Sequence, residues 1–446
     1  MDYLKKILDL MDRQEVDYAL DLAEGMNDEQ IYHGLLEGSK VDEGVLIAPD
    51  WVGWEGYRNE FFLRILAATP ETEHIKNLRE GVELYQFKNH HQTKFPSFVL
   101  QFKNLVYLSV KCGNFESLPA EIGRLQQLRD LEVKSVGLKR LPEDLGQLKQ
   151  LERLDLPYNK LNENDSHLSV IGNLENLETL VLDGNELEGL PKGMLLRFPK
   201  LRSVSLNLNE FPEDRLSEIL SELANLPHLK ELFLLENGIK KIDPPTTGFH
   251  ELIKLDLGNN EIKEVPIAFG KLQNLEKLNL GGCASLTNLD ALRELTSLSE
   301  LNLGGCSSLT DLDALGGLTK LTSLDCGGCA SLTNLDALGS LTNLIDLDLS
   351  RCESLRKTDG LANLTNLTDL DLAHCKFLPN VDCMTNLTNL TSLNLNSSEC
   401  LDSVYDLMSL TALEWLDLRG WTTLSYPLGL IEELEEALPN CTILTD

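Results

Sequence analysis

The sequence predicts an α/β solenoid, a curved parallel β-sheet with a helical segment in front of it. Three observations predict it. The stretch Leu275–Gly282, LEKLNLGG, has leucines at offsets 1, 4 and 6 and is followed by Cys283 at offset 9. The same pattern restarts at Leu298, Leu321, Leu344 and Leu367, a constant step of 298 − 275 = 23. Hydrophobic residues make up 42% of the 446, mostly leucine placed with that period, which suits a long thin core.

The pattern L-x-x-L-x-L-x-x-N/C resembles the leucine-rich repeat. Repeats start at residues 82, 105, 128, 151, 177, 201, 229, 252, 275, 298, 321, 344, 367, 390 and 413. The step is constant except in the middle of the array, where 177 − 151 = 26, 201 − 177 = 24 and 229 − 201 = 28. The resemblance covers residues 82 to about 444 and implies a horseshoe-shaped sheet. It specifies the fold closely and the function only loosely, because one fold hosts many functions.

Residues 1–40 read as helical, with Leu4, Ile7, Leu8 and Met11, then Val16, Ala19, Leu20 and Ala23, at helical spacing. Residues 41–57 read as a loop carrying Trp51, Trp54 and Tyr57; helices are expected again at Arg58–Ala68 and Glu71–Arg79. A terminal repeat must cover its exposed core, so residues 1–81 are expected to form an N-terminal helical cap, with Trp51 and Trp54 as packing groups.

The array divides by the residue at offset 9. Within 82–274, repeats 1–8, asparagine stands there at Asn159, Asn185, Asn209, Asn237 and Asn260. Leu-Pro pairs recur there at Leu118-Pro119, Leu141-Pro142 and Leu190-Pro191, and the LPxxIGxL form resembles plant-type and Ras-suppressor-type intracellular repeats. Within 275–446, repeats 9–15, cysteine stands there at Cys283, Cys306, Cys329, Cys352 and Cys375, and the following SLTNLDAL resembles cysteine-bearing repeats of bacterial proteins and plant disease-resistance receptors. The turn after each strand leaves backbone groups needing partners. An Asn amide both donates and accepts, so stacked asparagines can form a ladder. A Cys thiol is smaller and a weak donor, suited to a tighter, more apolar turn.

Two segments differ from the repeat. Within FPEDRLSEILSELANLP, Leu216, Ile219, Leu220 and Leu223 form a helical stripe. Residues 427–438 read as a closing helix with Ile431, Leu434 and Leu438 facing in, and NCTIL (440–444) as a truncated last strand.

Offsets 3 and 5 of each strand point away from the core, onto the face expected to be concave. Offset 5 carries Asn279, Asn302, Asp325, Asp348, Asp371, Asn394 and Asp417; offset 3 adds Glu300, Asp346 and Asp369. Gly281-Gly282, Gly304-Gly305 and Gly327-Gly328 beside them leave the backbone open. Like charges on neighbouring strands are destabilising. The row is therefore a candidate site for a basic segment of another protein, with a hydrated consensus position as the plainer reading.

The net charge is 39 − 71 = −32. By segment it is 8 − 18 = −10 for 1–81, 23 − 28 = −5 for 82–274 and 8 − 25 = −17 for 275–446. An acidic chain of this kind repels nucleic acid and anionic membranes. No run of about 18 apolar residues is present, and the N-terminus MDYLKKILDLMDRQ lacks a signal-peptide apolar region, so a cytoplasmic protein is expected. The sequons at Asn363, Asn366, Asn386, Asn389 and Asn440 then stay unmodified, and the ten cysteines are expected as reduced thiols. Cys326-Gly-Gly-Cys329 is formally CxxC, but Cys326 occupies the offset of Leu280 and Leu303, and Cys329 belongs to the ladder. His90-His91 reads as a solvated edge. No phosphate loop, HExxH pair or nucleophile elbow is present, so no cofactor, metal or catalytic residue is assigned. The expected function is a non-enzymatic interaction scaffold. The alternative is an effector or signalling protein whose activity lies in 1–81.

Overall fold

The computed structural model describes residues 94–445 apart from 165–166, 243–247, 379, 399–403 and 421–428. Before residue 94 it describes 40–42, 45–47, 66, 76–79, 82 and 84–88. Trp51, Trp54, His90 and His91 lie outside the described residues, as does nearly all of the expected cap. The chain forms two compact units, 1–201 and 202–446. The change of ladder chemistry at residue 275 falls inside the second.

In the first unit β1 (Lys40–Asp42) and β2 (Val45–Ile47) pair antiparallel, Asp42 opposite Val45. The sequence pattern instead puts Lys40 at the end of a helical stretch and 41–57 in a loop. Val41, Val45 and Ile47 are β-branched and favour an extended backbone. Residues 76–79 are helical, as expected for Glu71–Arg79, and Leu66, Leu78 and Val82 are buried.

Five parallel strands follow in the first unit: β3 (Leu84–Lys88), β4 (Tyr107–Lys111), β5 (Asp130–Lys134), β6 (Arg153–Asp155) and β7 (Thr179–Val181). Their register is the repeat register, Leu84 beside Tyr107, Asp130, Arg153 and Thr179 in turn.

The second unit has eleven: β8 (Ser203–Ser205), β9 (Glu231–Phe233), β10 (Lys254–Asp256), β11 (Lys277–Asn279), β12 (Glu300–Asn302), β13 (Ser323–Asp325), β14 (Asp346–Asp348), β15 (Asp369–Asp371), β16 (Ser392–Asn394), β17 (Trp415–Asp417) and β18 (Thr442–Leu444). The first ten belong to repeats, and β18 is the truncated strand read from NCTIL. Each strand covers offsets 3 to 5, so its middle leucine points into the core and its flanks point out. Leu278, Leu301, Leu324, Leu347, Leu370 and Leu393 are all at most 2% exposed. Full burial of such a side chain stabilises by roughly 1.5–3 kcal/mol, and stacking every leucine on its neighbour makes the core continuous.

The returning segments are short 3-10 turns, such as Asp290–Glu294 and Asp336–Ser340. The longest repeat replaces its turn with a helix, α1 (Glu213–Leu223), whose Leu216, Ile219, Leu220 and Leu223 are buried as the stripe requires. The closing helix α2 (Leu430–Ala437) differs from expectation by one position. Leu430, Leu434 and Leu438 are buried and Ile431 is half-buried. Gly429 precedes the helix with φ +92°, so the helix starts later than the apolar pattern suggests.

Candidate functional site

The two ladders differ in how many backbone groups they satisfy. Asn260 Oδ1 accepts from the N–H groups of Asn237 and Ile239, both at 3.0 Å. Its Nδ2 donates to the carbonyls of Leu234, Leu257 and Gly258 at 2.8–3.1 Å. Asn159 has the same pattern in the first unit, accepting from Val136 and Leu138 and donating to Val133, Leu156 and Pro157. Asn185, Asn209 and Asn237 are likewise buried and bonded to backbone.

Each ladder cysteine donates once, to a carbonyl of the previous repeat: Cys283 to Leu257, Cys306 to Leu280, Cys329 to Leu303, Cys352 to Cys326 and Cys375 to Leu349, at 3.2–3.5 Å. The turn closes on itself instead. The Cys283 N–H bonds Leu280 O, and the Leu286 N–H bonds Cys283 O. Ser398, not singled out in the sequence, continues the ladder, its hydroxyl 2.8 Å from Leu372 O. Its signal is present in the numbering, since 398 − 375 = 23, one repeat beyond Cys375.

Nine cysteines among the described residues are free thiols, and Cys283, Cys306, Cys326, Cys329, Cys352 and Cys375 are buried. Burial pushes the Cys375 thiol up to about 12 and raises Cys283, Cys306 and Cys352 as well. Contact with Cys329, then burial, raises Cys326. A neutral buried thiol is a poor nucleophile. An aqueous disulfide reagent is therefore expected to leave these six unmodified in the folded protein and to modify all of them in denaturant. Fast native modification of Cys326 and Cys329 together would instead mark them as a reactive CxxC pair and not as packing groups of the repeat.

The offset-5 row has a structural task that the sequence does not disclose. Each side chain accepts a hydrogen bond from the backbone N–H two positions on. The pairs are Asn279 with Gly281, Asn302 with Gly304, Asp325 with Gly327, Asp348 with Ser350, Asp371 with Ala373, Asn394 with Asn396 and Asp417 with Arg419, at 2.7–3.1 Å. This Asx turn ends the strand, and Asn and Asp serve equally because both offer an acceptor oxygen. The neighbouring glycines are occupied. A Cβ at Gly304 would stand 2.8 Å from the Asp325 carboxylate, and one at Gly281 2.6 Å from Asn302 Oδ1. The side chain of one repeat fills the space left by the glycine of the repeat before it.

The row is also uneven in charge. Asp417 is 1% exposed and paired with the Arg419 guanidinium, whose Nε lies 2.9 Å away; that pairing holds its carboxyl below the usual range. Glu300 is paired with Lys277 at 2.5 Å. Among the described residues no ion pair reaches Asp325, Asp346, Asp348, Asp369 or Asp371. Asp346 and Asp369 are exposed and stand side by side on β14 and β15, with Asp348 and Asp371 side by side two positions on. Asn302 and Asn394 bound this patch on β12 and β16. Burial raises the carboxyls of Asp325 and Asp371, and the charge of Asp348 adds to it. Their contribution to folding is therefore present at low pH and lost as pH rises through their folded values, whereas that of Asp417 is lost as pH falls through its own.

No group of three or more His, Cys, Asp or Glu among the described residues could hold a metal ion, and no helix there is long and apolar enough to cross a membrane.

A family profile described as leucine rich repeat matches residues 227–284. This chain is 36% identical over 118 positions to Podocan-like protein 1 of Mus musculus, a stretch that is 25% of this chain and only 19% of that protein. A leucine-rich repeat protein of Leptospira interrogans superposes with a TM-score of 0.63 at 26% identity, covering 80% of this chain and 93% of that one. The functional domain of InlJ from Listeria monocytogenes, described as including a cysteine ladder, superposes with a TM-score of 0.56 at 20% identity, covering 77% and 68%. Taken with the constant repeat period, the parallel strands and the two buried ladders, these matches identify the chain as a leucine-rich repeat protein.

Proposed function

We propose that the chain is a non-enzymatic scaffold that binds another protein, and that the strand face of β13–β15 docks a basic segment of it. Solenoids of this class present an extended sheet face suited to protein partners. The observation that carries the finer reading is the patch of Asp325, Asp346, Asp348, Asp369 and Asp371, five carboxylates on three adjacent strands with no cation in ion-pair range among the described residues. Strands stand about 4.8 Å apart, so these charges repel one another and a cationic partner relieves the repulsion. Asn279, Asn302, Asn394 and Asp417 are turn-formers that frame the patch. We infer a cytosolic setting, supported by the nine free thiols.

The test compares two variants of equal charge. One replaces Asp346, Asp348, Asp369 and Asp371 with Asn, which keeps the Asx turns. The other replaces the exposed Glu432, Glu433, Glu435 and Glu436 of α2 with Gln. Both change the net charge to −32 + 4 = −28. A fluorescent octalysine peptide, titrated at about 0.15 M salt, is expected to bind the first about tenfold more weakly than the parent and the second nearly as well, because only local charge acts within a Debye length of about 8 Å. Both variants should melt at or above the parent's temperature. Equal affinity for the two variants would show that binding follows net charge and that the patch is no site.

A further inference from the structure

Beside the carboxylate patch, at the edge where the strands begin, the second unit has a groove of about 650 Å³. Its floor is the row of residues at offset 2. In the repeats flanking Ile345 the hydroxyl at this offset turns to the previous repeat: Ser299 donates to Glu276 O, Thr322 to Ser299 O and Thr391 to Thr368 O, each at 3.1 Å. Thr368 shares its hydroxyl between Ile345 O at 3.2 Å and Asp369 Oδ2 at 2.6 Å. The amide of Asn343, on the groove wall, is spent on Thr319 O.

Ile345 breaks the row. It has no hydroxyl to spend, and its aliphatic side chain is 46% exposed within the groove. With the hydroxyls at offset 2 bonded to backbone and the Asn343 and Asn366 amides donating to Thr319 O and Thr342 O, Ile345 is the exposed aliphatic group of a lining that also includes Ser297. Glu276 and Lys320 also line the groove, one charge of each sign, so together they add no net charge to it. The unpaired carboxylates adjoin it directly. Asp346 follows Ile345 in sequence, and Asp369 is the partner of Thr368 on the groove floor.

We propose that the groove and the patch act together: the partner segment carries an aliphatic side chain that seats on Ile345, next to a Lys or Arg that meets Asp346 and Asp369. This rests on the basic-segment reading above and adds the apolar half of the recognition. An exposed isoleucine in water is unfavourable, and covering it is favoured; the adjacent carboxylates fix the sign of the flanking charge. A purely basic segment leaves Ile345 wet, and a purely apolar one leaves Asp346 and Asp369 facing uncharged chain.

The experiment is a selection of a random displayed-peptide library against the immobilised full chain, repeated with Ile345→Thr and with the pair Asp346→Asn and Asp369→Asn. Thr is the native residue of neighbouring repeats at this offset, so Ile345→Thr should fold, and a melting curve checks it. The parent is expected to enrich peptides with an aliphatic residue within two positions of Lys or Arg. Ile345→Thr should keep the basic preference, lose the aliphatic one and bind the best parental peptide on the order of tenfold more weakly, the loss of one apolar contact. The Asn pair should lose the basic preference. Basic peptides without an aliphatic preference, or an unchanged result with Ile345→Thr, would overturn the inference and leave the basic-segment reading standing. Aliphatic peptides without basic residues would overturn the joint recognition, and no enrichment of either kind would overturn both readings.

Discussion

Replacing Asn260 with alanine is expected to cost roughly 3–5 kcal/mol of unfolding free energy. Its carboxamide oxygen accepts from two N–H groups of the previous repeat, and its two N–H bonds are shared among three carbonyls, one in the previous repeat and two in its own turn. The residue is 3% exposed, so water cannot take its place. Two buried donors are left without an acceptor, each costing about 1–3 kcal/mol, and further donor bonds vanish with them. The matching change Cys306→Ala removes one weak sulfur bond and little volume, for about 1–2 kcal/mol. Urea unfolding of the two variants measures the contrast. Should both midpoints shift equally, the asparagines would be spacers and not the bonded ladder described above.

Gly360→Ala is expected to destabilise by about 3 kcal/mol, although the repeat pattern argues the reverse and Gly→Ala ordinarily stabilises where the backbone permits. Neighbouring repeats carry Ala291, Ala314 and Ala337 at this position, so alanine looks like a restoration of consensus. Here a Cβ would stand 1.9 Å from the carbonyl oxygen of Leu335 and 2.4 Å from its carbon. That neighbour is backbone, so relief requires two repeats to separate, which exceeds ordinary overpacking. The repeat is already adapted. Thr358 replaces the leucine seen at Leu289, Leu312 and Leu335, is buried, and accepts from Cys383 Sγ at its carbonyl oxygen. Thermal melting of Gly360→Ala decides the sign; an unchanged or raised midpoint would show that the repeats slide apart at no cost.

The parts of the fold that are legible in the sequence are those fixed by period. Leucines at offsets 1, 4 and 6 can face only one way on a strand, so the core, the strand register and both ladders follow from counting. The α1 stripe is readable for the same reason. The candidate site is readable as a row of residues and not as a set of roles. Nothing in the spacing separates an aspartate that holds a turn from one that waits for a ligand, because the same carboxylate oxygen does either. Asp417 illustrates this: its row position matches Asp348, but Arg419 two positions on neutralises it. Ile345 does not stand out in the sequence, because a single exposed isoleucine means little until its neighbours' hydroxyls are seen to be occupied. The closing helix starts at Leu430, after Gly429, and buries Leu430 in place of Ile431 beside the expected Leu434 and Leu438.

The interlock between each Asx side chain and the glycine of the repeat before it has a consequence for how such a chain changes over generations. From β11 to β14 every junction presents the same two halves, an Asx from one side and a glycine from the other. Any stretch one repeat long cut from this region therefore ends on surfaces that fit each other. Unequal crossover within the corresponding coding sequence can lengthen or shorten the array by whole repeats without creating a foreign junction. The Asn-ladder repeats that begin at 151, 177 and 201 differ from one another in length, so their ends are not interchangeable in this way.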